Sequence, residues 1–200
     1  MARLPRQNES PGTSFDFTLH MRRLCEDMTD RVPELRHINM SLVAISFSQA
    51  RKKTEWGMYA SLTPLRFENG ERYTIRGGRK MAVQKVVDSS GREMLYILNF
   101  YLPRFLELGF ETKLSTVIHE LWHISPHFDG DVRRYEGRCF AHSASGEHDA
   151  KSFELARKWL GTKPPEELYH FLRYNFKQLQ ERHQSIIGRK IPAPKLFPAG

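Results

Sequence analysis

The chain has 200 residues, 40% of them hydrophobic and 12% aromatic, enough apolar material for one core, so a single domain is expected. Lysine and arginine number 31 against 23 acids, a net charge of +8, which suits a polyanionic neighbour and equally an ordinary solvated surface. Cys25 and Cys139 stand alone, which excludes a disulfide framework and a four-cysteine zinc ribbon. The start "MARLPRQNESPGTS" lacks the apolar core of a signal peptide, and no run is apolar and long enough to cross a membrane. A soluble, cytoplasmic protein in a reducing compartment is the expectation.

Residues 1–15 are poor in large apolar groups and broken by Pro5, Pro11 and Gly12, and read as a disordered arm. From Asp16 the residues Phe17, Met21, Leu24 and Met28 recur at helical spacing until Val32-Pro33. The period then changes. "INMSLVAISFS" (38–48), "WGMYASLTPLRF" (56–67), "ERYTI" (71–75), "MAVQKVV" (81–87) and "REMLYIL" (92–98) are strand-like in length and composition, with Asn69-Gly70 the strongest turn signal between them. Together they predict a small, mostly antiparallel sheet.

Pro103 opens a short helix that stops by Gly109. A longer helix follows from about Thr112, with Leu114, Val117, Ile118, Leu121 and Trp122 as its buried stripe, and ends at Ser125-Pro126. Beyond a polar loop, one helix is predicted from about Ser145 to Gly161. Another is predicted after Pro164-Pro165, carrying Leu168, Leu172, Leu179 and Ile186 and ending at Gly188. Residues 16–188 thus form the domain, and 189–200 are a proline-rich basic tail. The predicted class is α+β.

Chemistry concentrates in "TVIHELWHISPHFDGDVRRYEGRCFAHSASGEHDA" (116–150). His119 and His123 lie one helical turn apart, off the apolar stripe, so both imidazoles can converge on one ion; zinc suits such nitrogen ligands best. Glu120 is adjacent in sequence to the first ligand and can act as general base on a zinc-bound water, then carry the proton to a leaving amine. Alternatives for the third ligand stay open. His127 is separated from the helix by Pro126, Asp129 holds the last ligand position of a longer motif whose glycine is here replaced by Pro126, His142 lies in the loop and His148 opens the next helix. Arg133, Arg134, Tyr135 and Arg138 are candidate donors to a developing oxyanion, and Cys139 reads as a small buried hydrophobe.

The stretches "WGMYASLTPLRF", "LYILNFYLPRF" and "HELWHISPHFDGDVRRYEGRCFAHS", roughly the middle half of the chain, resemble the phage metallopeptidase family, related in outline to SprT-like and other zincin-fold peptidases. That resemblance implies a zinc-dependent peptidase on an α+β zincin-like scaffold, with a histidine ligand where His142 stands. "GEHDAKSFELARKWLG" is similar to the segment after the motif in SprT-like proteases, and that likeness implies His148 instead.

The sequence therefore predicts a zinc metallopeptidase acting on peptide or protein substrates, with Glu120 as base and His119, His123 and His142 as metal ligands. The alternative is a basic nucleic-acid-associated protein whose zinc site is structural or catalytically lapsed, with weak nucleic-acid contact through clusters such as "RGGRK" (76–80) and "GRK" (188–190).

Overall fold

The computed structural model describes residues 14–49, 57–134 and 145–199, with residues 145–149 described by backbone alone. The described chain is a mixed α+β protein with five α-helices and three small sheets, and none of those helices is long and apolar enough to cross a membrane.

Strand β1 (Phe15–Asp16) leads directly into α1 (Phe17–Arg31) because the Asp16 carboxylate accepts the Leu19 N–H and caps the helix. Phe15 pairs with Ile186 and is buried, so the ordered domain includes a residue that composition assigns to the arm. Helix α1 turns Phe17, Met21, Leu24, Cys25 and Met28 inward and ends at Val32, as the following proline requires.

The main sheet has the order β2–β6–β3, from β2 (Val43–Gln49), β6 (Tyr96–Leu102) and β3 (Ala60–Pro64). Strands β2 and β6 run parallel over seven residues, and only β3 is antiparallel to β6. This corrects the expectation of one mostly antiparallel sheet. Both strands of the parallel pair are buried nearly throughout, with α1 and the two helices that follow β6 in the same core. Antiparallel pairing dominates instead in a second sheet, β4–β5–β8, made by β4 (Tyr73–Arg76), β5 (Arg79–Val83) and β8 (Leu196–Pro198). Gly77 and Gly78, both at positive φ, close the β4–β5 hairpin with a two-residue turn of the kind glycine favours.

After β6 come α2 (Arg104–Glu107) and α3 (Phe110–Trp122), and then α4 (Ser145–Gly161) packs along α3. Trp159 of α4 is fully buried and donates its indole N–H to Asp27 of α1. The single late helix expected from Pro165 to Gly188 does not form. Two 3-10 turns (Glu166–Leu168 and His170–Arg173) precede α5 (Phe176–Arg182) and β7 (Ile186–Ile187). The cause lies across the core. Lys113 of α3 inserts its ammonium against the Leu172 and Tyr174 carbonyls, at 2.9 and 2.8 Å, taking acceptors that a continuous helix would use for itself. Asn175 then starts α5 afresh with a full capping box to Gln178.

Candidate metal centre

Helix α3 is amphipathic in the sense the sequence predicts: Leu114, Val117, Ile118 and Leu121 are all buried on one side. His119 and His123 occupy another side, with ring centroids 4.6 Å apart and rings crossed at 81°. Their Nε2 atoms face each other at 3.0 Å. Two nitrogens each about 2.05 Å from one tetrahedral ion would stand about 3.3 Å apart, so a few tenths of an ångström of opening would let this pair grip a zinc ion. His123 is the C-cap that follows the last residue of the helix, which ends there because Pro126 forbids continuation.

The Glu120 carboxyl reaches β3 of the sheet, and the residue is only 8% exposed. Burial pushes its carboxyl up to about 7, while the Leu62 N–H that it accepts pulls the other way. The direction of that N–H follows from register. Tyr59 accepts the Tyr101 N–H and Leu65 donates to Leu95, so the odd-numbered residues of β3 bond to β6, and Leu62, out of phase with them, turns its backbone outward. Strand β3 is an edge of the main sheet, so the carboxyl of Glu120 lies against an edge whose outer polar groups have no strand partner among the described residues.

The segment after His123 folds back over the end of α3. Ile124 bridges to Val132, the Arg133 N–H reaches the His123 carbonyl at 2.7 Å, and the Arg133 Nε reaches the Trp122 carbonyl at 2.8 Å. The guanidinium also stacks 4.0 Å over the Trp122 ring. These bonds satisfy carbonyls that a helix end leaves open. Asp131 pins the same segment: its carboxylate accepts from the backbone of Asn69 and Val132 and from Nε and Nη2 of Arg134. Tyr96 of β6 completes the clamp, donating its hydroxyl to the Asp131 carbonyl and accepting the Gly130 N–H, both at 2.9 Å. Arg133 and Arg134, candidates for an oxyanion, are thereby committed to holding the loop.

Two sequence alternatives for the third ligand are not brought to the histidine pair. Asp129 faces the Gly70 turn and accepts the Asp131 N–H, and His127, with an exposed position, is held only through its backbone to Ser125. Among the described residues no three His, Cys, Asp or Glu side chains form a group that could hold a metal ion. His142, the ligand implied by the family resemblance, lies outside the described residues, as do Tyr135, Arg138 and Cys139; His148 is in the first turn of α4, where only the backbone is described.

Reasoning from sequence missed Tyr96, Asp131 and His37. His37 sits beneath the same loop, held below the usual imidazole range by burial and by the Arg133 charge while bonding to the backbone of Ile124 and Glu34. The Asp-Gly-Asp run at 129–131 signals a turn, but nothing in it says which carboxylate is buried.

A scan against protein-family models finds no match to this chain, and searches of curated proteins and of solved structures find none either.

Proposed function

We propose that this chain is a zinc-dependent metallopeptidase on a zincin-like scaffold, with His119 and His123 as two metal ligands, Glu120 as general base and His142 as the third ligand. One observation carries the reading: two imidazole nitrogens converge at 3.0 Å on the helix whose intervening glutamate is buried against an edge strand. Zinc bound there supplies Lewis acidity that makes water acidic near neutral pH. Glu120, its carboxyl shielded from bulk solvent, would be the group that takes up a proton and passes it to the leaving amine. Apart from the Leu62 N–H that Glu120 accepts, the outer edge of β3 offers an extended peptide a strand to lie against.

The test is Glu120→Gln, which removes the base and no ligand. Cleavage of casein or a quenched peptide library should fall about 10²- to 10⁴-fold, while metal analysis still finds about one zinc per chain. Undiminished cleavage in that variant, or wild-type protein that takes up no zinc, sinks the reading. A second reading, a basic nucleic-acid-associated protein with a structural zinc, draws on the net charge of +8; in it Glu120→Gln changes no activity because there is none to lose.

A further inference from the structure

The β4–β5–β8 sheet leaves large apolar groups in water. Its register places Tyr73 opposite Ala82 and Ala82 opposite Phe197, with Ile75 opposite Lys80, and the alternation of strands puts Lys195 on the same face as Phe197. Tyr73 and Phe197 are each 45% exposed and Ile75 is 68% exposed, whereas the small Ala82 between the rings is buried. The result is a shallow trough. An alanine floor is flanked by two aromatic residues, whose strands are about 10 Å apart at the usual inter-strand spacing.

The charges at the strand positions of this trough are basic, with the acid Glu71 just before β4. Lys80 Nζ stands 4.1 Å from the Tyr73 ring centroid, Arg76 and Arg79 flank the hairpin turn, and Lys195 leads into β8. Arg72 and Lys85, just outside, are matched by Glu93. Among the described residues no carboxylate pairs with Arg76, Arg79, Lys80 or Lys195.

We infer that this face binds single-stranded nucleic acid, with Tyr73 and Phe197 stacking on bases, Lys80 and Lys195 neutralising phosphates beside them, and Arg76 and Arg79, which the register puts on the opposite face, adding positive charge only from the hairpin end. Charge complementarity selects the occupant. A second copy would bring like charge to like charge, and an acidic peptide would answer the cations but leave the ring faces without flat partners. A single strand supplies both, since every base has a π-face and phosphates repeat along the chain. A duplex keeps its bases stacked inside, out of reach of rings on a shallow sheet. The proposal does not rest on the peptidase reading, since α3 contributes nothing to the trough.

Fluorescence anisotropy of the full chain, with labelled oligo(dT), oligo(U) and a duplex of about 20 nucleotides at about 50 mM salt, tests it. Either single strand should bind at least about 10-fold more tightly than the duplex, and whichever binds better names the source. Tyr73→Ala with Phe197→Ala should weaken that binding about 10-fold or more, and Lys80→Ala should lower the salt slope by about 1. Tyr73→Trp, which keeps a stacking ring, should retain binding and show its added tryptophan emission quenched by oligo(dT). Equal affinity for duplex, an unaffected ring double variant, or no quenching in Tyr73→Trp overturns the inference.

Discussion

The two larger sheets of this chain treat aromatic residues in opposite ways. In β2–β6–β3, Tyr96 and Phe100 are enclosed by α1, α2 and the loop after α3, and the Tyr96 hydroxyl has both a donor and an acceptor. In β4–β5–β8, Tyr73 and Phe197 lie half in water over an alanine, with a lysine as the nearest charge. Similar side chains on similar strands differ only in whether a helix covers them. A covered aromatic contributes through packing and is costly to remove, whereas an uncovered one is free to contact something else.

Truncation should separate covered from uncovered aromatic residues at once. Trp159→Ala in α4 removes a fully buried indole and its bond to Asp27, and should cost about 3–5 kcal/mol. Phe197→Ala on the open sheet should change stability by no more than about 0.5 kcal/mol. Urea unfolding of both variants measures the contrast, and comparable losses would mean that β8 is as essential to the fold as α4.

What the sequence made legible follows the same division. Helices α1, α3 and α4 could be read because one face of each meets the core, which prints a 3.6-residue period, and the His119–His123 pair was visible as two residues one turn apart off such a face. The pairing of β2 with β6 was not legible. Their partnership spans the β3, β4 and β5 strands, and a strand's own pattern does not encode its neighbour. Nor was the break of the late helix, which depends on the Lys113 ammonium arriving from α3. The motif's histidine pair is local and readable; for the third ligand of the proposed site the sequence supplies only candidates.

Lys113 also gives the covered region a pH signature. The side chain is 2% exposed, and burial lowers its pKa from 10.5 to about 8 despite the nearby Glu107. Between those values the unfolded chain holds a proton that the folded chain has released, so stability rises with pH across that window. Below about pH 8 the folded chain carries the full cost of a desolvated ammonium. Relative to Lys113→Met, wild type should therefore gain about 2–3 kcal/mol between pH 8 and pH 10.5. A pH-independent difference between the two proteins would show that the amine reaches water.

A last expected effect on stability bears most directly on the candidate metal centre. Asp131 accepts four N–H groups, and Asp131→Asn replaces one accepting oxygen by a donor that faces donors. The loss should be about 1–3 kcal/mol, felt as faster amide exchange over residues 124–134 while α1 and β2 keep their protection. Because that segment holds the carbonyls of Trp122 and His123 through Arg133, loosening it frees the last turn of α3, where one imidazole of the pair is anchored. Zinc affinity should then drop about 10-fold although no ligand has changed, the usual consequence of removing support behind a coordinating residue. Unchanged affinity with accelerated exchange would mean that α3 positions His123 unaided, and that the Asp131 clamp serves the fold alone.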